Sequence, residues 1–302
     1  MDTHKYKALL KAVELGSISA AAQELGYSPS GLNRLFDSLE KELGFIVLVR
    51  TPQGVGLTQE GRELLPKIRE NLYWQDQIEE YCAAVQGLTK GELNVGSYYS
   101  LASCWLPIIL RQFQNDYPGI HIHVKEGGNK DLLEGILDRR LHCSLFNKPA
   151  AYTGDWIPLY DARLVVLVPE NHPLAKKEKV DPQDLNGQPF IEPLPNQETN
   201  VAHFLIRHHV QPVIRFSTGD MYTCWSMVQA GLGISMDNEV SVTRWSGRVK
   251  VLPFTTGDTL HLGIGLPSLE EASPALKKFI EYVKAFVVKE YGDKMRGADD
   301  RR

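Results

Sequence analysis

The 302-residue sequence predicts a chain in three parts: a small, mainly helical module with a β-wing, a long connecting helix, and a larger α/β domain. Three observations carry this reading. The first 57 residues hold short helical patterns punctuated by Gly16 and Gly26, then an apolar run broken by a turn bearing glycine and proline. From Thr58 to about Gln86 a single amphipathic pattern runs without a break. Beyond Gly91, strand and helix patterns alternate, as in α/β units over a mainly parallel sheet.

In chain order, Tyr6, Leu9, Leu10 and Val13 recur at helical spacing, and Gly16 ends that helix. Ser19 is placed to cap a second short helix, Ala20 to Leu25, whose alanines let another helix approach closely. Gly26 supplies a sharp turn, because glycine tolerates positive φ. Ser28 and Pro29 form a cap and first-turn pair for a third helix running to about Leu43. Leu32, Leu35, Leu39 and Leu43 are expected on its buried side. The apolar run Phe45 to Val49 and the segment Arg50 to Leu57 then read as two short strands, a wing packed on the helices.

Thr58 can cap the long helix, along which Leu64, Leu65, Ile68, Leu72, Ile78, Tyr81, Cys82 and Val85 form an apolar stripe. Pro66 is placed to kink its early turns. A second copy of the helix would cover the stripe, and packing on the chain's own C-terminal half is the alternative. The partner-helix reading is favoured. Residues 87–91 read as a hinge. Strands are then expected at Leu93–Gly96, Ile120–Val124, Cys143–Phe146, Leu164–Val168, Phe190–Ile191, Val213–Phe216 and Leu260–Leu266. Helices are expected at Leu106–Asp116, Asn129–Arg139, Thr199–His209, Asp220–Ala230 and Pro274–Tyr291. The charged tail from Gly292 is expected to be disordered.

Composition narrows the function. Hydrophobic content of 43% and charged content of 23% are those of an ordinary globular protein. No apolar stretch approaches the ~20 residues of a membrane span, so no membrane partner is expected. Cys82, Cys104, Cys143 and Cys224 lie far apart with no Cys-x-x-Cys pair, which argues for reduced thiols in the cytoplasm and against a structural zinc. The net charge is −4, and residues 1–70 carry nine Lys/Arg against nine Asp/Glu. A case for nucleic acid must therefore rest on arrangement, not on bulk charge. The histidines show no His-x-x-x-His or His-Glu-x-x-His spacing, Gly231-Leu-Gly is too short for a dinucleotide fingerprint, and Gly-x-Ser-x-Gly is absent. No catalytic constellation emerges, and no cofactor is expected.

The most specific motif is N-terminal: Gly16-Ser-Ile-Ser-Ala-Ala-Ala22, Leu25-Gly-Tyr-Ser-Pro-Ser30, Leu39-Glu, Leu43-Gly44, Arg50, and Leu57-Thr58 with Gly61. Looser matches follow in order: Phe113 with Tyr117-Pro118, His172-Pro-Leu-Ala175, Asp184-Leu185 with Pro189-Phe190, and Ala230-Gly-Leu-Gly-Ile234. Over nearly its whole length the chain resembles the LysR-type transcriptional regulators. That resemblance implies a winged helix-turn-helix over 1–58 and a linker and dimerisation helix with hinge over 59–90. It implies a periplasmic-binding-protein-like effector domain over 91–302, built as two α/β subdomains of about 91–161 with 266–302 and about 162–265. The implied partners are double-stranded DNA, a second copy (homodimer or dimer of dimers), a small-molecule co-inducer of unknown identity, and RNA polymerase. The sequence departs from the family with Pro29 where Gln is usual, Asn33 where Ser or Thr is usual, Leu48-Val49 for Leu-Phe, and His142 for an acidic residue.

Within that frame the third helix offers Pro29, Ser30, Asn33, Arg34 and Asp37 on the face away from its leucines. Asn33 can pair both hydrogen-bonding edges of adenine, and Arg34 can reach guanine or a phosphate. Ser19 and Ser28 suit phosphate contacts at helix starts, and Arg50 suits a phosphate or minor-groove contact from the wing. The plain alternative is a solvated face. In the effector domain Ser97, Tyr98, Tyr99 and Ser100 follow the first strand and open a helix, a candidate anion or carboxylate cradle. Asn147 and Lys148 follow the strand ending at Phe146, with Asn129 bordering the same space. Pro193, Asn196, Thr199 and Thr218 would face them from the second subdomain. The plain alternative makes the tyrosines core aromatics and Lys148 a solvated charge. Two rival functions stay open at this point: a ligand-binding protein whose helix-turn-helix serves protein contacts, and an enzyme using the cleft.

Overall fold

Asp2 accepts from the His4 amide at 2.9 Å and so starts α1 (Thr3–Leu15), the first element of the computed structural model. The structure describes residues 2–51, 54–85, 90–149, 152–195 and 199–299, with only the backbone given for Arg50, Ala84 and 293–299. The chain divides into two units, residues 1–87 with 138–140, and 88–137 with 141–302.

In the first unit α2 (Ile18–Leu25) begins two residues earlier than the sequence reading has it. Ser17, not Ser19, is its cap, with Oγ accepting from the Ala20 amide at 3.2 Å. Ser19 is an exposed residue inside the helix. The reason lies in Ile18, whose side chain packs against the helical core and draws the helix start back to it. After Gly26, at φ +71°, α3 (Pro29–Leu43) starts on Ser28, whose Oγ accepts from the Gly31 amide at 3.0 Å. Its buried side is Leu32, Phe36 and Leu39, and the expected Leu35 and Leu43 are only half-buried. Glu40 ties α3 to the wing by accepting from the amides of Val47 at 2.8 Å and Leu48 at 3.1 Å. The wing is an antiparallel pair, β1 (Leu48–Thr51) and β2 (Gly54–Leu57). The Thr58 hydroxyl caps α4 (Gln59–Val85) through the Gly61 amide at 3.0 Å. Ile68 and Leu72 of α4 close the core of this unit with Leu9, Ala12, Ala22 and Leu32.

The second unit is α/β, but its sheet is mixed, not mainly parallel as expected. β3 (Gly91–Ser97) pairs in parallel with β4 (Ile120–Glu126) and β5 (Cys143–Asn147). α5 (Tyr99–Cys104), α6 (Leu106–Asp116) and α7 (Asn129–Leu137) make the connections. The antiparallel character comes from two long strands. β6 (Asp155–Pro169) runs fifteen residues, and its first half pairs with β11 (Thr259–Leu266), which also pairs with β5. The second half of β6 pairs with β9 (Ser235–Asn238) and β10 (Val249–Pro253). β6 and β11 therefore carry the chain out of one α/β layer set and back, and a strand that returns must run against its neighbours. β7 (Pro189–Pro193) and β8 (Val213–Thr218) form a parallel pair, flanked by α8 (Asn200–Arg207) and α9 (Met221–Gln229).

α10 (Pro274–Asp299) runs past the expected end at Tyr291, so the backbone from Gly292 to Asp299 is helical where a disordered tail was expected. Tyr291, buried at the end of the apolar stripe, accepts from Trp105 Nε1 at 3.1 Å and packs on Tyr160. That anchor holds the last core-facing turn in place, and the helix continues from it. The expected hinge at 87–91 falls largely on residues outside the described ones.

Candidate functional site

Two sites emerge, one in each unit. On α3, Ser30, Arg34 and Asp37 are exposed and Asn33 is half-buried, all on the flank away from Leu32, Phe36 and Leu39. Asn33 Nδ2 donates to the Pro29 carbonyl at 2.9 Å, which fixes the amide against the first turn. One N–H and Oδ1 remain for a partner, the pair an adenine edge requires. The exposed Ser28 hydroxyl is shared between the Gly31 amide and Ser30 Oγ at 3.2 Å. Ser19 sits on the exposed side of α2, away from the cap role expected of it. Arg50 pairs with Val55 in the wing backbone, and its side chain lies outside the described residues. Much of the module's basic charge is already spoken for: Lys5 pairs with Glu42, and Lys11 pairs with Glu24 at 2.9 Å and Glu14 at 3.2 Å.

In the second unit a cavity of about 90 Å³ opens at the ends of β3 and β7. That is room for a small-molecule ligand. Six of the expected residues line it: Tyr98, Tyr99, Ser100, Asn129, Pro193 and Thr199. The Tyr98 hydroxyl meets Asn129 Oδ1, and burial pushes that phenol up to about 12, so it remains a donor. Thr199 caps α8 through the Ala202 amide at 3.1 Å.

The others stand apart. Ser97 is fully buried and its hydroxyl donates to the Tyr98 carbonyl at 3.0 Å, so half of the expected anion cradle is turned inward. Asn147 is a brace from β5 to β11 and α8: Oδ1 accepts from the His261 amide at 2.8 Å and Nδ2 donates to Asn200 Oδ1 at 3.2 Å. Lys148 is exposed, its ammonium 6.0 Å from the Trp156 ring centre. Thr218 accepts from the Asp220 amide at 3.2 Å and shapes the turn before α9, outside the lining. Asn196 lies outside the described residues.

Sequence reasoning missed Asp237, Asn238 and Ser241, together with Met221 and Leu260. β9 is short and entirely buried, and only its sequence Ser-Met-Asp-Asn hints at it: two polar residues ending a strand after Ile234. Asp237 Oδ1 accepts from the Asn238 amide at 2.7 Å, Asn238 Nδ2 at 3.1 Å and Ser241 Oγ at 2.9 Å.

Comparison with known proteins decides the family. Residues 3–62 match the bacterial regulatory helix-turn-helix protein model of the lysR family, and residues 86–287 match the LysR substrate binding domain. The chain belongs to the LysR family of bacterial regulators. LysR-family relatives include the HTH-type transcriptional regulator YvbU of Bacillus subtilis, 25% identical, covering 94% of this chain and 98% of the relative. The transcriptional dual regulator GltC of the same organism is 26% identical over 96% of this chain and 98% of its own. Among solved structures, a full-length OxyR from Pseudomonas aeruginosa superposes with TM-score 0.74 at 20% identity, covering 95% of each chain. CbnR in complex with its target DNA gives 0.65 at 20% identity, covering 95% of this chain and all of that one. This LysR-family chain is thus a transcriptional regulator with a helix-turn-helix module and an effector-binding domain. Among the described residues no helix is long and apolar enough to cross a membrane.

Proposed function

We propose that this regulator reads duplex DNA with the exposed flank of α3 and that a small effector in the cavity beside Tyr98 and Asn129 controls its promoter activity. The observation that carries the reading is the two-sidedness of α3: Leu32, Phe36 and Leu39 are buried, while Ser30, Asn33, Arg34 and Asp37 face outward from a helix start capped by Ser28. Such a flank fits a major groove, with Asn33 addressing a base and Arg34 a guanine or phosphate. The wing carrying Arg50 supports the same reading. Because the module is charge-neutral, each subunit neutralises few phosphates, and tight binding comes from several subunits acting together. The working form is then a cytoplasmic homodimer or dimer of dimers joined through α4, with RNA polymerase as the downstream partner. An effector changes DNA affinity only by binding one conformation better than another, and bound DNA changes effector affinity by the same factor.

The test is DNA binding to the promoter region beside the regulator's own gene against unrelated fragments. Asn33→Ala is expected to weaken the specific complex by about 1–3 kcal/mol and leave unrelated fragments untouched. Arg34→Ala is expected to flatten the salt dependence by about one unit of slope per subunit if it neutralises a phosphate. If both variants bind every fragment as the wild type does, α3 is not the reading helix.

A further inference from the structure

Every residue of β9 is buried, and Asp237 is 8% exposed at its end of the cavity. Its two carboxylate oxygens live differently. Oδ1 accepts from Asn238 and Ser241, as above, and these donors are themselves fixed. Asn238 Oδ1 accepts from the amides of Val240 at 3.0 Å and Ser241 at 3.2 Å, and Asn238 Nδ2 also donates to Ser241 Oγ at 3.0 Å. The cradle holds the carboxylate in one orientation. Oδ2, buried on the same side chain, has no hydrogen-bond partner. A buried carboxylate oxygen left unpaired is destabilising, and such atoms are rare in native proteins.

The rest of the wall explains what is missing. Among the described residues it offers tyrosines, amides, hydroxyls, Met221 and aliphatic side chains, and no Lys, Arg or His. The three donors on Oδ1 favour the ionised carboxylate, yet among the described residues no cation lines the cavity to balance it. A small carboxylate entering this space would set a second negative charge against the first. A cation with N–H donors would satisfy both deficits at once.

We propose that the Asp237 carboxylate, the one charged group in the described cavity wall, anchors a protonated amine, so that the cavity selects small cationic ligands and rejects small carboxylates. The assignment rests on reading this cavity as the effector site. It reverses the expectation of a carboxylate cradle at Ser97 and Ser100, whose first hydroxyl is turned away from the cavity. Burial pushes the Asp237 carboxyl up to about 7, and a bound cation would draw it back down by favouring the charged form.

Thermal shift and titration calorimetry on the full-length protein test this with matched probes: propylamine and benzylamine, propionate and benzoate, propanol and benzyl alcohol. The amines are expected to raise the unfolding midpoint, the acids and alcohols to leave it unchanged, and Asp237→Asn to weaken amine binding at least tenfold. The matched panel decides on the wild type alone, should the variant not fold. Amines that give no shift, or that bind Asp237→Asn as tightly as wild type, overturn the assignment. An acid or alcohol that shifts the wild type and loses its effect in the cavity-filling variant Ser100→Trp overturns the amine class while keeping the cavity as the effector site. An amine whose shift survives both Ser100→Trp and Asp237→Asn overturns both.

Discussion

Asp237 also carries a stability consequence. Burial moves its carboxyl from an ordinary value of 3.8 up to about 7, so between those values the native state keeps a proton that the unfolded chain releases. Stability then falls as pH rises through that window, and the whole penalty is present above about 7. At about 1.4 kcal/mol per unit, it is on the order of 4 kcal/mol in the ligand-free protein. Asp237→Asn keeps the shape and removes the titration. In urea unfolding, its advantage over wild type is expected to grow by about 2–3 kcal/mol from pH 5 to pH 8. An advantage that stays constant with pH would mean the carboxylate does not titrate in that window. Residues of this kind were the least legible in the sequence. The cavity-facing tyrosines and Asn129 could be read from strand ends, because parallel strands open their C-terminal ends to a cleft. Asp237 could not, since it sits on a buried four-residue strand whose position depends on pairing with β6, seventy residues earlier in the chain.

At the scale of elements, the wing is held to the helices by contacts that tolerate no side chain. Gly54 has φ +126°, and a Cβ there would lie 2.1 Å from the Gly16 carbonyl oxygen. That same oxygen accepts from the Val55 amide at 2.8 Å. Gly54→Ala therefore has to displace the wing from the α1–α2 turn, at about 1–3 kcal/mol. Gly56 in the same strand meets nothing closer than Thr51 Cγ2 at 3.5 Å, so Gly56→Ala is the control. A lowered unfolding midpoint and weaker DNA binding are expected for the first and neither for the second. Equal behaviour of the two would free the wing of this constraint. Elements of this module were nearly all visible in the sequence because caps, glycine turns and leucine spacing are local signals. The α/β domain was visible only in part. Its helices and parallel strands announced themselves, whereas the first half of β6, β9 and β10 did not, because antiparallel pairing between segments distant in the sequence is decided by partners and not by local pattern.

For the whole molecule the decisive surface is the second half of α4. Ile68 and Leu72 are covered within their own unit, but Trp74, Ile78, Tyr81 and Val85 are 41%, 62%, 67% and 71% exposed. Their spacing of four, three and four residues is the seam of a two-helix coiled coil, in which each side chain needs a facing hole from a partner helix. A bare seam of this size in water favours association, and a symmetric pair of such helices would bury it on both sides at once. Ile78→Glu places a charge at the centre of that seam, where a partner would force it out of water. Sedimentation velocity is expected to show the variant shifted toward monomer at concentrations where wild type remains assembled, with the circular dichroism of the folded chain unchanged. Affinity for the promoter should fall with it by tenfold or more, because two modules held together bind as one and separate modules do not. A variant that sediments like the wild type and binds DNA as tightly would assign assembly to another surface, and the exposed seam would then need a different occupant.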